Sequence, residues 1–330
     1  MRWGIIGYGW VARDYMAPGI RAAGGSVAAV CDPSPQARER AQADGAQLYD
    51  SVAAMLAAGG LDALYVATPN HLHAETIEQA ADAGLPILCE KPLAENAEGL
   101  ERIAAVAARG DVRLGTAFDQ RHHPAHDIIR RRIAEGDLGT VTAIRIVYCC
   151  WVDPDWSRGT GENWRADQTC AGGGAVLDLA PHGLDLAQFL TGELVEQLGT
   201  VLQRRIHDYP VEDGGMTTGR TASGVLFSSH TSYNWPEDLP RRRLEIAGTK
   251  AMIVASDTMG QDAGGHMTRI DAADGSSETI GFDTETTPFA RQAEAFARFA
   301  KGEDGGFDIA RDIAAARAFF AAFEGARRCL

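Results

Sequence analysis

The sequence predicts an α/β protein: a doubly wound parallel sheet at the N-terminus, then an α+β domain with a large open, mostly antiparallel sheet. Three observations predict it. The first 120 residues alternate short apolar runs with helical stretches. Beyond about residue 120 the pattern changes to extended segments separated by turn pairs. The length of 330 residues suits two domains at roughly 150 residues each. The expected division is 1–120 and 121–330, with a return of the last helix to the first domain left open.

In the first domain, the apolar runs 2–7, 27–31, 61–67, 86–89 and 112–117 read as strands buried on both faces. Between them 12–23, 35–43, 52–58, 74–83 and 96–108 read as helices. Alternation of this kind implies right-handed crossovers and a parallel sheet covered on both sides. Pro18 fits badly inside the first helix, because its ring removes an N–H and crowds the preceding turn. It is expected to kink or end that helix after about two turns, sparing the N-terminal turn.

In the second domain, 124–135 reads as a helix and 140–152 as a strand, followed by an irregular stretch rich in Trp, Asp and Gly. Residues 176–190 read as a helix. The extended segments 196–205, 217–222, 224–233, 243–246, 251–255 and 266–271 follow, with turns at Asp213-Gly214, Ser223-Gly224 and Asp274-Gly275. Helices 289–300 and 309–325 close the chain.

Composition excludes several classes. Hydrophobic content of 45% with 23% charged residues is that of a soluble globular chain with a sizeable core. The net charge of −14 argues against a nucleic-acid partner, which would require a basic face. The basic runs Arg130-Arg131-Arg132 and Arg241-Arg242-Arg243 read as solvated faces or strand edges. No apolar run reaches membrane-spanning length, and no secretory leader is visible. The six cysteines are scattered without metal spacing, so reduced thiols in the cytoplasm are expected. His71 and His73 with His122 and His123 lack a supporting Cys or Glu cluster, so no metal is expected.

The chemistry concentrates in four motifs. Gly7-x-Gly9-x-x-Ala12 follows an apolar strand and opens a helix, the context a dinucleotide fingerprint requires. Gly7 permits the tight turn, Gly9 lets backbone approach a pyrophosphate, and Ala12 lets helix and strand pack closely. The helix N-terminus offers free N–H groups and partial positive charge to the phosphates. Asp32 ends the second strand, 20 residues after Ala12, where a carboxylate meets the adenosine ribose. It would repel a 2′-phosphate, so NAD is favoured; Arg38 and Arg40 lie nearby and leave NADP open. An Asp that merely caps the next helix is the alternative.

Ala67-Thr68-Pro69-Asn70-His71-x-His73 and Cys89-Glu90-Lys91-Pro92 end the third and fourth expected strands, the end at which ligands of such sheets lie. Pro92 restricts Lys91 to extended backbone. Asp178 and His182, four residues apart behind Gly172-Gly173-Gly174, share a helix face, and Asp185 continues it. His is suited to acid–base work near neutral pH. Pro181 raises the alternative that the helix begins only there, which would weaken the one-face placement.

In this order and spacing the motifs resemble the Gfo/Idh/MocA family of NAD(P)-dependent oxidoreductases. The resemblance covers nearly the whole chain, with specific motifs in the first 185 residues. It implies a Rossmann domain and a substrate-binding, oligomerising domain. It implies catalytic roles for Lys91, Asp178 and His182, and cofactor contacts at Gly7, Gly9, Trp10, Val11, Ala12, Asp32, Thr68, Pro69, Asn70, His73, Glu90 and Lys91. Asn163-Trp164-Arg165 resembles a substrate-binding stretch of the family, and Phe118-Asp119-Gln120-Arg121 the segment linking its domains. Substrate contacts are therefore expected from Lys91, Arg121, Trp164, Arg165, Asp178 and His182, with ion pairing an equal alternative for Arg121 and Arg165. The implied reaction moves a hydride between nicotinamide and a secondary alcohol or ketone of a sugar, inositol or related polyol. An NAD-dependent glycosidase, a dihydrodiol-type dehydrogenase and a non-catalytic NAD(P)-sensing regulator are the alternatives. The expected assembly is a cytoplasmic homodimer or homotetramer built through the C-terminal sheet.

Overall fold

The computed structural model describes residues 1–156 and 163–330. Residues 157–162, part of the irregular stretch expected after residue 152, lie outside the described residues. The chain divides into two compact units. The first is Met1–Ala117, Asp155–Gly172 and Phe289–Ala316; the second is Phe118–Pro154, Gly173–Pro288 and Arg317–Leu330. The first unit thus ends its opening segment near the expected residue 120, and it also draws on two later segments.

Among the described residues, the first unit holds six parallel strands: β1 (Arg2–Ile6), β2 (Ser26–Cys31), β3 (Gln47–Tyr49), β4 (Ala63–Val66), β5 (Ile87–Glu90) and β6 (Leu114–Ala117). Their order is β3-β2-β1-β4-β5-β6. The order reverses between β1 and β4, and a crevice beyond the carboxyl ends of the strands is expected at such a reversal. Trp3, Ile5, Tyr65 and Leu88 are buried in the sheet, and Phe289, Ala293 and Phe296 pack in the same core. The helix Pro288–Ala300 contributes these last residues.

Pro18 does not end the first helix. Helical structure runs on to Ala22, through a π-turn at Ala12–Met16 whose i→i+5 bond joins Ala17 N–H to Ala12 O. The wider turn shifts the hydrogen-bond ladder ahead of Pro18, which then sits in the first turn of Ala17–Ala22, where its missing N–H costs little.

The second unit holds eight strands: β7 (Val141–Cys149), β8 (Val195–Gln203), β9 (Gly214–Thr221), β10 (Leu226–Ser232), β11 (Arg242–Gly248), β12 (Ala251–Ser256), β13 (His266–Asp271) and β14 (Ser277–Thr279). Their order is β14-β13-β12-β11-β7-β10-β9-β8. Only β7 and β10 pair in parallel; the other neighbours are antiparallel. The helix Ala175–Thr191 lies against this sheet, so closely that a Cβ at Gly183 would come 2.9 Å from Ser229 Oγ. Val201 and Met216, paired across β8 and β9, stand 71% and 49% exposed, and Leu226 on β10 is 59% exposed. Among the described residues no helix is long and apolar enough to cross a membrane.

Candidate functional site

In the first unit the glycine loop is built from backbone. Gly7 adopts φ +86°, and a Cβ there would lie 2.6 Å from Ala67 O, so only glycine fits. A Cβ on Gly9 would meet nothing within 4 Å, and a helix opens beside it at Trp10. Space beside a helix N-terminus fits the pyrophosphate of a dinucleotide. Trp10, Val11 and Ala12 form the first helical residues, with Ala12 fully buried.

Asp32 stands at the end of β2, 9% exposed. Its carboxylate accepts from Tyr8 N (2.6 Å) and Ser34 N (2.7 Å), tying the glycine loop to the strand end. The cap of the next helix is Ser34, whose hydroxyl accepts from Ala37 N. The capping alternative for Asp32 therefore gives way to a loop-bracing role. Tyr8 also donates its hydroxyl to Asp44 at 2.5 Å; burial and this partner push the phenol up to about 12. Arg38 is engaged by Tyr49 O (3.0 Å) and Asp50 (2.8 Å).

The loop after β4 is held by its own side chains. Asn70 donates to Ala171 O at 2.9 Å, and His71 Nδ1 lies 3.2 Å from Cys170 O. His73 is fully buried, with Nδ1 3.0 Å from Pro92 O and Nε2 2.9 Å from Thr68 O. Burial pushes its imidazole down to about 4. With no exposed surface, His73 braces Thr68-Pro69 against the Lys91-Pro92 loop. Glu90 accepts from Tyr65 Oη (2.5 Å) and from Lys91 N (3.3 Å), which anchors the turn carrying Lys91. The Lys91-Pro92 peptide is cis.

Trp164 and Arg165 also belong to this unit. The Arg165 guanidinium lies 4.5 Å from the Trp164 ring and 5.2 Å from the Trp156 ring. Trp156 in turn meets Trp10 edge-on at 6.0 Å, so this stretch packs beside the glycine loop.

In the second unit the site is built from side chains on Ala175–Thr191. That helix starts six residues before Pro181, so the later start at Pro181 is excluded and Asp178 and His182 do share successive turns. A distant residue secures its beginning. Glu212 Oε1 accepts from Gly174 N (2.8 Å), Val176 N (3.1 Å) and Leu177 N (3.3 Å), and Glu212 O accepts from Ala175 N. A carboxylate at a helix N-terminus satisfies orphan donors and complements the dipole. Burial pushes the Glu212 carboxyl up, and these bonds oppose it.

Asp178 Oδ2 accepts from Tyr233 Oη at 2.5 Å. His182, 5% exposed, places Nδ1 3.3 Å from Asp119 Oδ1, a close approach outside well-aligned hydrogen-bond geometry. Tyr148 and Phe118 meet its ring edge-on at 5.4 and 6.4 Å. Burial pushes the Tyr148 phenol well up. Arg242 lies 5.9 Å from the Tyr148 ring. Asp185 receives Arg121 through three contacts of 2.5–2.9 Å, both side chains 3% exposed. Of the two roles open for Arg121, the structure supplies the ion pair.

The structure thus gathers Gly7, Gly9, Asp32, Thr68, Asn70, Glu90, Lys91, Trp164 and Arg165 in one unit and Asp178, His182, Asp185 and Arg121 in the other. Tyr148, Glu212 and Tyr233 were not singled out from sequence, while Asp119 was read only as part of the domain-linking segment and Arg242 only as part of a basic run. Each comes from a different segment, and no local spacing ties it to the helix Ala175–Thr191.

Residues 1–118 match the oxidoreductase family with an NAD-binding Rossmann fold, and residues 126–254 match the GFO/IDH/MocA C-terminal domain. The chain is 31% identical over 326 residues to 1,5-anhydro-D-fructose reductase of Ensifer adhaerens, covering 96% of each chain. It is 27% identical to inositol 2-dehydrogenase of Rhizobium meliloti (strain 1021), over 78% of this chain and 76% of that one. The fold matches that of levoglucosan dehydrogenase in complex with NADH and levoglucosan, with a TM-score of 0.85, 24% identity and coverage of 99% and 97%.

Proposed function

This chain belongs to the GFO/IDH/MocA family of NAD-binding oxidoreductases, and we propose that it interconverts a secondary alcohol and ketone on a sugar, inositol or related polyol. The observation that carries this reading is the polar cluster around one helix: half-buried Asp178 held by Tyr233, and buried His182 facing Asp119. Ring hydroxyls need both donors and acceptors, and a site built for them rejects analogues that lack them. The relatives' names, 1,5-anhydro-D-fructose reductase and inositol 2-dehydrogenase, support the same class.

Bound NAD would accept or return the hydride. His182 takes or gives the hydroxyl proton. Lys91 hydrogen-bonds the same oxygen and stabilises negative charge on it. Asp178 holds a second hydroxyl, while Trp164 and Arg165 contact the ring. Gly7, Gly9, Trp10, Val11 and Ala12 hold the pyrophosphate. Asp32, Thr68, Pro69, Asn70 and Glu90 complete the cofactor's surroundings. NAD is preferred to NADP, because the Asp32 carboxylate opposes a 2′-phosphate and Arg38 is committed to Asp50.

The protein works in the cytoplasm as a homodimer or homotetramer. Exposed Val201, Met216 and Leu226 on the large sheet support assembly through that face. Steady-state kinetics with NAD on inositols, aldoses, ketoses, dihydrodiols and hydroxy acids test the substrate class. Higher kcat/KM for a dihydrodiol or hydroxy acid than for every sugar and inositol rejects it. Tighter binding of NADPH than NADH rejects the cofactor preference, and light scattering from a monomer at micromolar concentration rejects the assembly.

A further inference from the structure

Two carboxylates compete for the role of partner to His182, and the geometry separates them. Asp178, one turn before His182 on the same helix, accepts the Tyr233 hydroxyl at 2.5 Å. Asp119 comes from another segment and sets Oδ1 3.3 Å from His182 Nδ1, with both side chains 6% exposed. Its other oxygen accepts from Gln120 Nε2 at 2.9 Å, and that amide also donates to Gly260 O at 3.1 Å. The carboxylate is therefore held in place from behind. Two residues on, Arg121 grips Asp185 on the next turn of the helix. The segment is thus locked along the helix by two polar pairs of opposite sense, Asp119 with His182 and Arg121 with Asp185.

We propose that Asp119 is the positioning residue of His182: it accepts from Nδ1–H and so leaves Nε2 as the basic nitrogen that meets the substrate hydroxyl. The proposal rests on the reading of His182 as the proton-handling group. A neutral imidazole carries one N–H, and the partner of one nitrogen decides which carries it. Here the acceptor lies at Nδ1, while Tyr148 and Phe118 close on the ring edge-on and limit its rotation. During oxidation the hydroxyl proton moves to Nε2, and the carboxylate beside Nδ1 balances the imidazolium that results. Unliganded sites often show such contacts long, and they tighten with substrate bound. In acyl-transfer triads a buried Asp does the same for a catalytic His, fixing tautomer and orientation.

The test reads the tautomer directly and needs no turnover. Ring 15N shifts of His182 are compared in the wild type, Asp119→Leu and Asp119→Asn at a pH where the imidazole is neutral. The wild type should show Nδ1–H. Asp119→Leu, similar in size and without an acceptor, should move the proton off Nδ1 and lower kcat roughly tenfold or more. KM for NAD should stay within about twofold, because the proposal leaves the glycine loop untouched. Asp119→Asn keeps an acceptor oxygen and covers the case in which the Leu variant does not fold. It should retain Nδ1–H and lose kcat through the missing charge. An Nε2–H signature in the wild type, persistence of Nδ1–H in Asp119→Leu, or unchanged kcat in Asp119→Asn overturns the proposal. Absence of polyol turnover by the wild type would instead remove the functional reading, leaving the tautomer result standing.

Discussion

The two units build their functional residues from different materials. In the first, the essential features are backbone conformations: φ +86° at Gly7, open space over Gly9 and the first turn of a helix. Side chains there, such as Asp32 and His73, mostly brace main chain. In the second, the features are buried side chains brought together on one helix from residues 119, 148, 212 and 233. A backbone-built site tolerates almost no change at a few positions. A side-chain-built site spreads its dependence over many partners, and each loss is partial.

The largest effect should come from Gly7→Val. The added Cβ would lie 2.6 Å from Ala67 O at a φ that β-branched residues avoid. NADH affinity, followed by fluorescence titration, should fall by roughly 100-fold or more, since the loop must move away from the position its phosphate contacts need. Retained affinity would break the backbone side of the comparison. Next is Lys91→Met, which should lower kcat by roughly 100-fold while NADH affinity changes little. The turn carrying Lys91 is anchored by Glu90 to Tyr65 and so should persist without the ammonium. Near-normal turnover would reduce Lys91 to a structural residue.

The contrast between units also governs what the sequence disclosed. Backbone-built sites write themselves locally, because a required glycine must sit at a fixed offset from its strand and helix. Gly7, Gly9 and Ala12 were legible for that reason. Most strands and helices were legible as well, each through a run of apolar residues at one period. The exceptions share a cause. β3 and β14 are three residues each at sheet edges, and β14 is fully exposed, so neither carries an apolar pattern. The π-turn ahead of Pro18 and the unbroken helix around Pro181 depend on hydrogen bonds that propensity does not encode. In the second unit Asp178 and His182 were readable from their spacing, whereas Asp119, Glu212 and Tyr233 were not. They reach the helix from other segments, and no local period marks them.

Acid stability treats the units alike, which sharpens the contrast in function. Each contains a fully buried histidine that burial holds neutral: His73, pushed down to about 4, and His126, pushed down to about 3. In the unfolded chain both would protonate near pH 6.5. The stabilisation is therefore complete above about pH 6.5 and is lost progressively as pH falls towards the folded-state values. Between pH 7.5 and pH 5 each histidine should withdraw about 2 kcal/mol of unfolding free energy, measured by urea denaturation. His73→Gln and His126→Gln should each flatten that pH dependence. A parallel loss in both variants would mean that other groups carry it.

The smallest effect should come from Tyr233→Phe, and it tests the side-chain half most sharply. Tyr233 is 1% exposed, and its hydroxyl donates to Asp178 at 2.5 Å. Removing it deletes one hydrogen bond to a charged acceptor, worth about 1.5–3 kcal/mol, and leaves the ring in place. Its backbone stays tied as well, since Tyr233 N donates to Asp213 O and His207 Nε2 lies 2.9 Å from Tyr233 O. The fold should therefore survive, with the loss expressed at Asp178. If Asp178 holds a substrate hydroxyl, freeing the carboxylate should raise KM for the polyol by roughly tenfold and change kcat less. KM for NAD should not move. A drop confined to kcat would instead make Asp178 part of the proton-handling set, and the two carboxylates near His182 would then act as one unit. An unchanged enzyme would mean that Asp178 keeps its orientation without the phenol, and that the second unit is less dependent on buried partners than its geometry implies.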